Sequence, residues 1–347
     1  MSKIKVAIIC GGKSSEHEIS CVSAFGVMSA IDTSRYEAVL IGITKYGKWL
    51  LLPNDINFSI IDGALPSVPE SGIEVIISNN TLQAGGKDLA IDVVFPVLHG
   101  PYGEDGTIQG LFEMINLKYV GSGVLASAVS MDKSFAKPIF AAAGLKVAPS
   151  IVVTSSNFQL PADLKFPLFV KPARSGSSRG TTKVKSESEL KNAVSFALEF
   201  DTKVLIESAI VGREIECAVL QTEGKTIASP VGQILIDSKY EFYDFQAKYL
   251  DNTMQLIFPT DLPAGMEAKI QEQAVKAFNS VGCEGLARID FFYTNDNEII
   301  INEINTMPGF TPLSVYPKLF AKTGVNYQEL ISKLIESALT RSANITR

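Results

Sequence analysis

The amino-acid sequence predicts a protein of mixed α/β and α+β class, and three observations carry that reading. Strand-like and helix-like patterns alternate through the first third, strands dominate the middle, and a strand hairpin precedes a closing helix. A length of 347 residues corresponds to two or three domains at about 150 residues each. Three units, 1–130, 131–210 and 211–347, are the economical division.

Taken in order, Val6–Cys10 is a short buried strand ended by Gly11 and Gly12. Ile19, Val22, Phe25 and Val27 then sit near helical spacing, and Val39–Ile43 and Ile91–Leu98 read as further strands. This alternation points to a parallel sheet with helices on its faces. Lys45–Glu70, richer in Pro, Asn and Gly, reads as an excursion of short strands and loops. Met131–Ala143 is helical and stops at Gly144, a good residue just past a helix end. The strands Ile151–Val153, Leu168–Val170, Val204–Glu207 and Glu214–Leu220 follow. One helix interrupts them, with capping-box spacing at Ser186 and Glu189 and an apolar stripe through Leu190, Ala193, Val194, Ala197 and Leu198. Leu262–Ser280 is another helix, and the last one starts at Asn326, with Glu329 three residues on. There is no internal repeat or low-complexity tract.

Composition narrows the function classes. The formal charge of −6 argues against a partner made of nucleic-acid backbone. No apolar run approaches the roughly 20 residues that span a bilayer, and Val6–Cys10 is too short for a secretory core. The four cysteines, Cys10, Cys21, Cys217 and Cys283, show no CxxC pair and read as reduced core residues of a cytoplasmic protein. His17 and His99 are the only histidines, so a histidine-rich metal centre is excluded.

Three motif matches fail. Gly121-Ser-Gly123-Val-Leu-Ala126 fits a dinucleotide fingerprint, but no acidic residue stands about 20 positions on. Gly12-Lys13-Ser14 resembles the tail of a P-loop whose first glycine would fall on Ala7, and His17-Glu18 lacks a second histidine for zinc.

Others hold. Leu286–Tyr293 and Glu298–Thr306 are strand runs joined by the turn formers Thr294–Asn297. Alternation along a strand places Arg288 and Asp290 on one face, and Glu303 and Asn305 likewise. Two carboxylates, an amide oxygen and an arginine interrupting apolar strands form a hard-oxygen site suited to Mg²⁺. The turn Met307–Thr311 puts the Gly309 N–H beside that site, free to face an oxyanion. Lys171–Gly180, rich in Gly and Ser and flanked by cations, follows a strand and suits a phosphate. Glu207 and Glu214 flank a hinge-like link, where carboxylates accept from adenine and ribose. Glu241–Asp251 reads equally as a closing loop carrying Lys248 and Tyr249 or as an aromatic surface loop. At the first strand-to-helix junction Glu18 is placed to pair with a substrate ammonium, and His99 occupies the equivalent junction after Ile91–Leu98.

The ordered series GGKSSEHEIS, LHGPYGEDGTIQG, SMDK, FVKPARSGSSRG, YDFQAKY, GLARIDFF and INEINTMPGFT resembles the D-alanine–D-alanine ligases of the ATP-grasp superfamily over nearly the whole chain. The resemblance implies an ATP-grasp fold of three domains: a Rossmann-like N-terminal parallel sheet, a small central antiparallel α+β domain and a C-terminal mixed-sheet α+β domain. It implies a cytoplasmic homodimer that makes D-alanyl-D-alanine for peptidoglycan precursors through an acyl phosphate, releasing ADP and phosphate. The alternative is a D-alanine–D-serine or other carboxylate–amine ligase.

By that pattern Glu18 holds the first substrate's ammonium, with Ser177 and Tyr249 nearby. Arg288 and the Gly309 N–H face the oxyanion, and His99 and Ser314 contact substrate. Lys133, Lys171 and Lys248 serve the ATP phosphates, Glu207 and Ile210 the adenine, and Glu214 the ribose, with Ser178 and Phe242 also binding ATP. Asp290, Glu303 and Asn305 bind two Mg²⁺, with Mn²⁺ able to substitute. Two positions depart from the pattern. Arg179 stands where an apolar residue is expected, and Gln233 where a carboxylate is frequent. The AKY at Tyr249 favours an amine as second substrate.

Overall fold

The computed structural model describes residues 2–235 and 255–341. The first layer contains β1 (Ile4–Gly11), α1 (His17–Ala30), β2 (Tyr36–Ile43), β3 (Trp49–Leu51), β4 (Ile73–Ser78), β5 (Thr81–Ala84), β6 (Lys87–Asp88), β7 (Val93–Pro96), α2 (Thr107–Met114) and β8 (Lys118–Tyr119). Its eight strands run β6-β5-β4-β3-β2-β1-β7-β8. The pairs around β1 and β7 are parallel, as the alternation requires, while β3 to β6 extend the sheet antiparallel. Strands β4 to β6 escape sequence analysis because their burial is too mixed for a clear period: β4 exposes Ile73, Ile76 and Ile77.

The second sheet comprises β10 (Ser150–Val153), β11 (Leu168–Pro172), β12 (Thr182–Val184) and β13 (Val204–Ser208), ordered β10-β13-β11-β12 and wholly antiparallel. Helix α5 (Glu187–Ala197) buries Leu190, Ala193, Val194 and Ala197 against it. The expected capping box closes differently: Glu189 accepts from the Ser186 hydroxyl at 2.9 Å and from the Lys185 amide at 3.0 Å.

The third sheet contains β9 (Lys146–Val147), β14 (Gly212–Thr222), β15 (Lys225–Leu235), β16 (Gln255–Ile257), β17 (Leu286–Thr294) and β18 (Ile299–Asn305), in the order β16-β15-β14-β17-β18-β9. All its pairs are antiparallel except β18–β9, which makes the sheet mixed. One face is covered by α3 (Val124–Met131), α4 (Lys133–Ala142) and α6 (Met266–Ser280). Helix α6 starts four residues later than its apolar pattern suggests, because Gly265 takes a left-handed φ of 79° immediately before it. The other face carries α7 (Val315–Ala321) and α8 (Tyr327–Thr340). Leu330, Ile331 and Leu334 of α8 share one core with Val6, Ile8 and Val93 of the first sheet, so the last helices tie the first and third layers together. Asn326 caps α8 as its sequence predicts, accepting from the Glu329 amide at 2.9 Å.

All four cysteines are free and buried. Among the described residues no helix is long and apolar enough to cross a membrane.

Candidate active site

Strands β17 and β18 pair Arg288 with Asn305 and Asp290 with Glu303. The register then slips, placing Phe291 opposite Ile301 and leaving Asn302 as an extra residue on β18. Such a bulge re-aims side chains without ending the strand, and Asn302 joins the cleft wall. Arg288 grips Asp290 through two parallel contacts of 2.7 Å, Nε to Oδ1 and Nη2 to Oδ2. Its Nε also lies 3.1 Å from Glu216 Oε2 of β14. Burial opposes the charge of this guanidinium, but Asp290 and then Glu216 more than offset it and raise its pKa. Asn305 donates to Asp290 Oδ2 at 3.1 Å, and Glu303 lies 3.2 Å from Lys133 Nζ.

Among the described residues no group of three or more His, Cys, Asp and Glu is arranged around a metal position. The donor set here is two carboxylates and one amide oxygen. That fits Mg²⁺ bound together with phosphate, because this ion keeps much of its shell for phosphate and water.

Lys171 closes β11 at the mouth of the glycine-rich loop. Within the loop Ser177 and Ser178 take left-handed φ values of 50° and 57°, followed by Gly180 at 72°. Successive N–H groups in such conformations line an anion-binding concavity. Behind the loop Glu207 of β13 is held by two lysines, Lys171 on Oε1 and Lys137 on Oε2, the latter at 2.7 Å. Burial raises the Glu207 pKa, yet Lys171 and then Lys137 outweigh it and hold the carboxyl at about 2. The Lys137 pKa is pulled down, first by burial. Ile210 and Glu214 complete this wall of a solvent-open cleft between the second and third sheets.

The geometry separates two carboxylates of one motif. Glu18 pairs with Lys45, which more than offsets burial and lowers its pKa. Glu16 is the carboxylate that enters the site: it is buried, and Ser177 Oγ donates to its Oε1 at 2.5 Å. Glu16 precedes α1 and Glu18 lies in its first turn. Two residues along a helix rotate a side chain by about 200°, so the two point to opposite sides. The close packing needs glycine: a Cβ at Gly100 would stand 2.6 Å from Glu16 Oε2, and one at Gly176 2.9 Å.

His99 is also differently placed. It is 4% exposed, with Nδ1 3.0 Å from the Met307 carbonyl and Nε2 3.0 Å from Ser23 Oγ, so both ring nitrogens already have protein partners. Burial lowers its pKa and keeps it neutral. Beside it Glu104 accepts from the Gly100 amide at 3.2 Å; burial, then the negative charge of Glu16, push its carboxyl up to about 8.

Gly309 and Ser314 stand together in the turn after β18: a Cβ on Gly309 would lie 3.2 Å from Ser314 Oγ, which also accepts from the Thr311 amide at 3.0 Å. Gln233 accepts from Arg213 at 2.9 Å and takes no place in the cleft wall. Phe242, Lys248 and Tyr249, with the whole of Glu241–Asp251, lie outside the described residues. Sequence reasoning missed Glu16, Glu104, Lys137 and Asn302 as site residues, and read Glu216 with Glu214 as an acid of the hinge. Glu16 and Glu104 lie inside motifs singled out for other residues, and Lys137 follows Lys133 by four positions and so shares its helix face.

Comparison with known proteins places this geometry. The family profile described as D-ala D-ala ligase N-terminus matches residues 5–122, and that of the D-ala D-ala ligase C-terminus matches 139–336. A D-alanine--D-alanine ligase of Paenarthrobacter aurescens (strain TC1) is 48% identical, covering 98% of this chain and 96% of that protein. Among solved structures, the VanG D-Ala:D-Ser ligase from Enterococcus faecalis is 35% identical, with a TM-score of 0.84 over 97% of this chain and 100% of that one. The D-alanine--D-alanine ligase from Bacillus anthracis complexed with ATP is 27% identical, with a TM-score of 0.72 over 97% of each chain.

Proposed function

The chain belongs to the D-alanine–D-alanine ligase family, and from that premise we propose that it joins two D-alanines at the expense of ATP, releasing ADP and phosphate, for peptidoglycan precursors in the cytoplasm. The single observation that carries the reading is that Ser177, Asp290 and Glu303 line one cleft, with Glu16 of the first layer bonded to Ser177 and Arg288 bonded to Asp290.

The nucleotide lies in the cleft with its phosphates under the 176–180 loop, where Lys133 and Lys171 face them. Glu207, Ile210 and Glu214 line the end suited to adenine and ribose. Asp290, Glu303 and Asn305 would hold Mg²⁺, which would supply charge neutralisation at the phosphates, and Arg288 and Lys133 orient the oxygens. Glu16, backed by Ser177, pairs with the ammonium of the first D-alanine, replacing Glu18 in that role. The carboxylate of that first D-alanine takes the γ-phosphoryl group of ATP, giving an acyl phosphate and releasing ADP. The amine of the second D-alanine attacks the acyl carbon. Negative charge collects on the former carbonyl oxygen, where Arg288 and the Gly309 N–H receive it. Collapse expels phosphate and leaves the amide bond. Ser314 serves the second substrate's carboxylate, and a homodimer is the assembly we assign.

Incubating the protein with ATP, Mg²⁺ and D-alanine tests the reading: D-alanyl-D-alanine and stoichiometric phosphate are expected. Faster turnover with D-serine or D-lactate as second substrate, or no dipeptide at all, overturns it. Glu303→Gln should abolish turnover while leaving the unfolding transition in place.

A further inference from the structure

The contacts of Met307 and of the loop against it single out two residues with no chemistry of their own in the scheme above. Met307 opens the turn that carries Gly309, and its carbonyl is engaged from the first layer. His99 Nδ1 lies 3.0 Å from the Met307 carbonyl, and Glu104 braces the loop that carries His99 by accepting from the Gly100 amide at 3.2 Å. A carbonyl only accepts, so the His99 proton sits on Nδ1, and Nε2 accepts from Ser23 Oγ at 3.0 Å. The His99 backbone is pinned in turn, its carbonyl accepting from Ser14 Oγ at 2.7 Å. The far end of the turn is fixed separately: Tyr327 of α8 donates to the Phe310 carbonyl at 2.7 Å, and Phe310 packs on Phe95 with ring centroids 5.5 Å apart. Gly309 therefore lies between two anchors. The anchor nearer the metal-binding strand comes from the β7–α2 loop, which also packs against Glu16.

We propose that His99 and Glu104 are positioning residues, His99 by holding the Met307 carbonyl and Glu104 by bracing the His99 loop through the Gly100 amide, and that together they clamp the turn and aim the Gly309 N–H at the oxyanion. The proposal rests on the ligase reading. It also assigns His99 to the backbone of the turn, away from substrate. A single oxyanion donor is worth about 10²–10³ in kcat, and a misplacement of about 1 Å costs about 10².

The amides of asparagine and glutamine separate the two ring nitrogens. Asparagine places a donor near the Nδ1 position, and glutamine places its amide near Nε2. His99→Gln should lower kcat by about 10²-fold, with KM for ATP and D-alanine within about threefold of wild type. His99→Asn should recover at least about tenfold of that loss. Glu104→Gln, which keeps an acceptor oxygen, should retain more kcat than Glu104→Ala. Hydrogen exchange across 307–311 supplies a readout independent of turnover: it should quicken in His99→Gln and Glu104→Ala and stay near wild type in His99→Asn, with exchange in the β14–β17 core unchanged. A raised KM for D-alanine at unchanged kcat in His99→Gln overturns the clamp and gives His99 to the substrate. Equal kcat and equal exchange in the asparagine and glutamine variants also overturn it. If the wild type makes no dipeptide, the ligase reading fails, and the exchange pattern still decides whether the clamp exists.

Discussion

Replacing Lys137 by methionine probes the buried charge behind the nucleotide wall. Glu207 is 6% exposed and its two oxygens face Lys171 and Lys137. Its fall from an ordinary 4.5 to about 2 corresponds to roughly 3 kcal/mol at about 1.36 kcal/mol per pKa unit. Lys171 is the larger cause and remains in the variant, so the loss of Lys137 removes less than half of that stabilisation. Methionine also escapes the burial penalty that lowers the Lys137 pKa, which brings the net loss to about 1 kcal/mol at neutral pH. The sign with pH follows from the depressed carboxyl. Its stabilisation is complete above about 4.5 and is lost as pH falls toward 2. Urea unfolding of wild type and Lys137→Met at pH 7, 4.5 and 3 measures the difference, expected to be largest at pH 7 and to shrink in acid. A variant as stable as wild type at pH 7, or a gap that does not narrow between pH 4.5 and 3, refutes this account of the triad.

Three further outcomes are expected. Glu16→Gln should cost about 10- to 100-fold in kcat/KM for D-alanine, the loss of a charged hydrogen-bond partner, whereas Glu18→Gln should stay within about threefold, since its ion pair with Lys45 is peripheral; steady-state kinetics of the two variants decide between them. Gly100→Ala adds a methyl 2.6 Å from Glu16 Oε2 at a φ of +75°, so thermal unfolding should show a loss of about 1–2 kcal/mol and dipeptide formation should fall more than about tenfold as Glu16 is displaced. Glu104 has a folded pKa of about 8, above its ordinary 4.5, so the folded protein binds the extra proton and stability from this group declines as pH rises from 4.5 to 8. The melting temperature of Glu104→Gln relative to wild type should therefore rise between pH 6 and pH 9; a constant difference counts against the buried acid.

Much of this molecule follows from chain-local rules. The β1 run and its glycine stop, the Asn326 cap and the hairpin that faces Asp290 against Glu303 all depend on neighbours two to four positions away, or on a short turn. So does the list of motifs that led to the family, because each keeps its chemistry within about a dozen residues. What the sequence alone left open lies wherever a side chain chooses between two directions or two partners far along the chain. Glu16 and Glu18 are equal candidates in one dimension, and only packing decides that one meets Ser177, 161 residues away, while the other meets Lys45. His99 is a candidate ligand until Met307, 208 residues on, takes its Nδ1. Glu207 stands alone in the sequence, and only the fold brings Lys171 and Lys137 to share its charge. Sequence determined which chemical groups this protein carries and which local elements bear them. Tertiary structure decided which groups face each other, because burial and Coulomb attraction act through space and give no period along the chain.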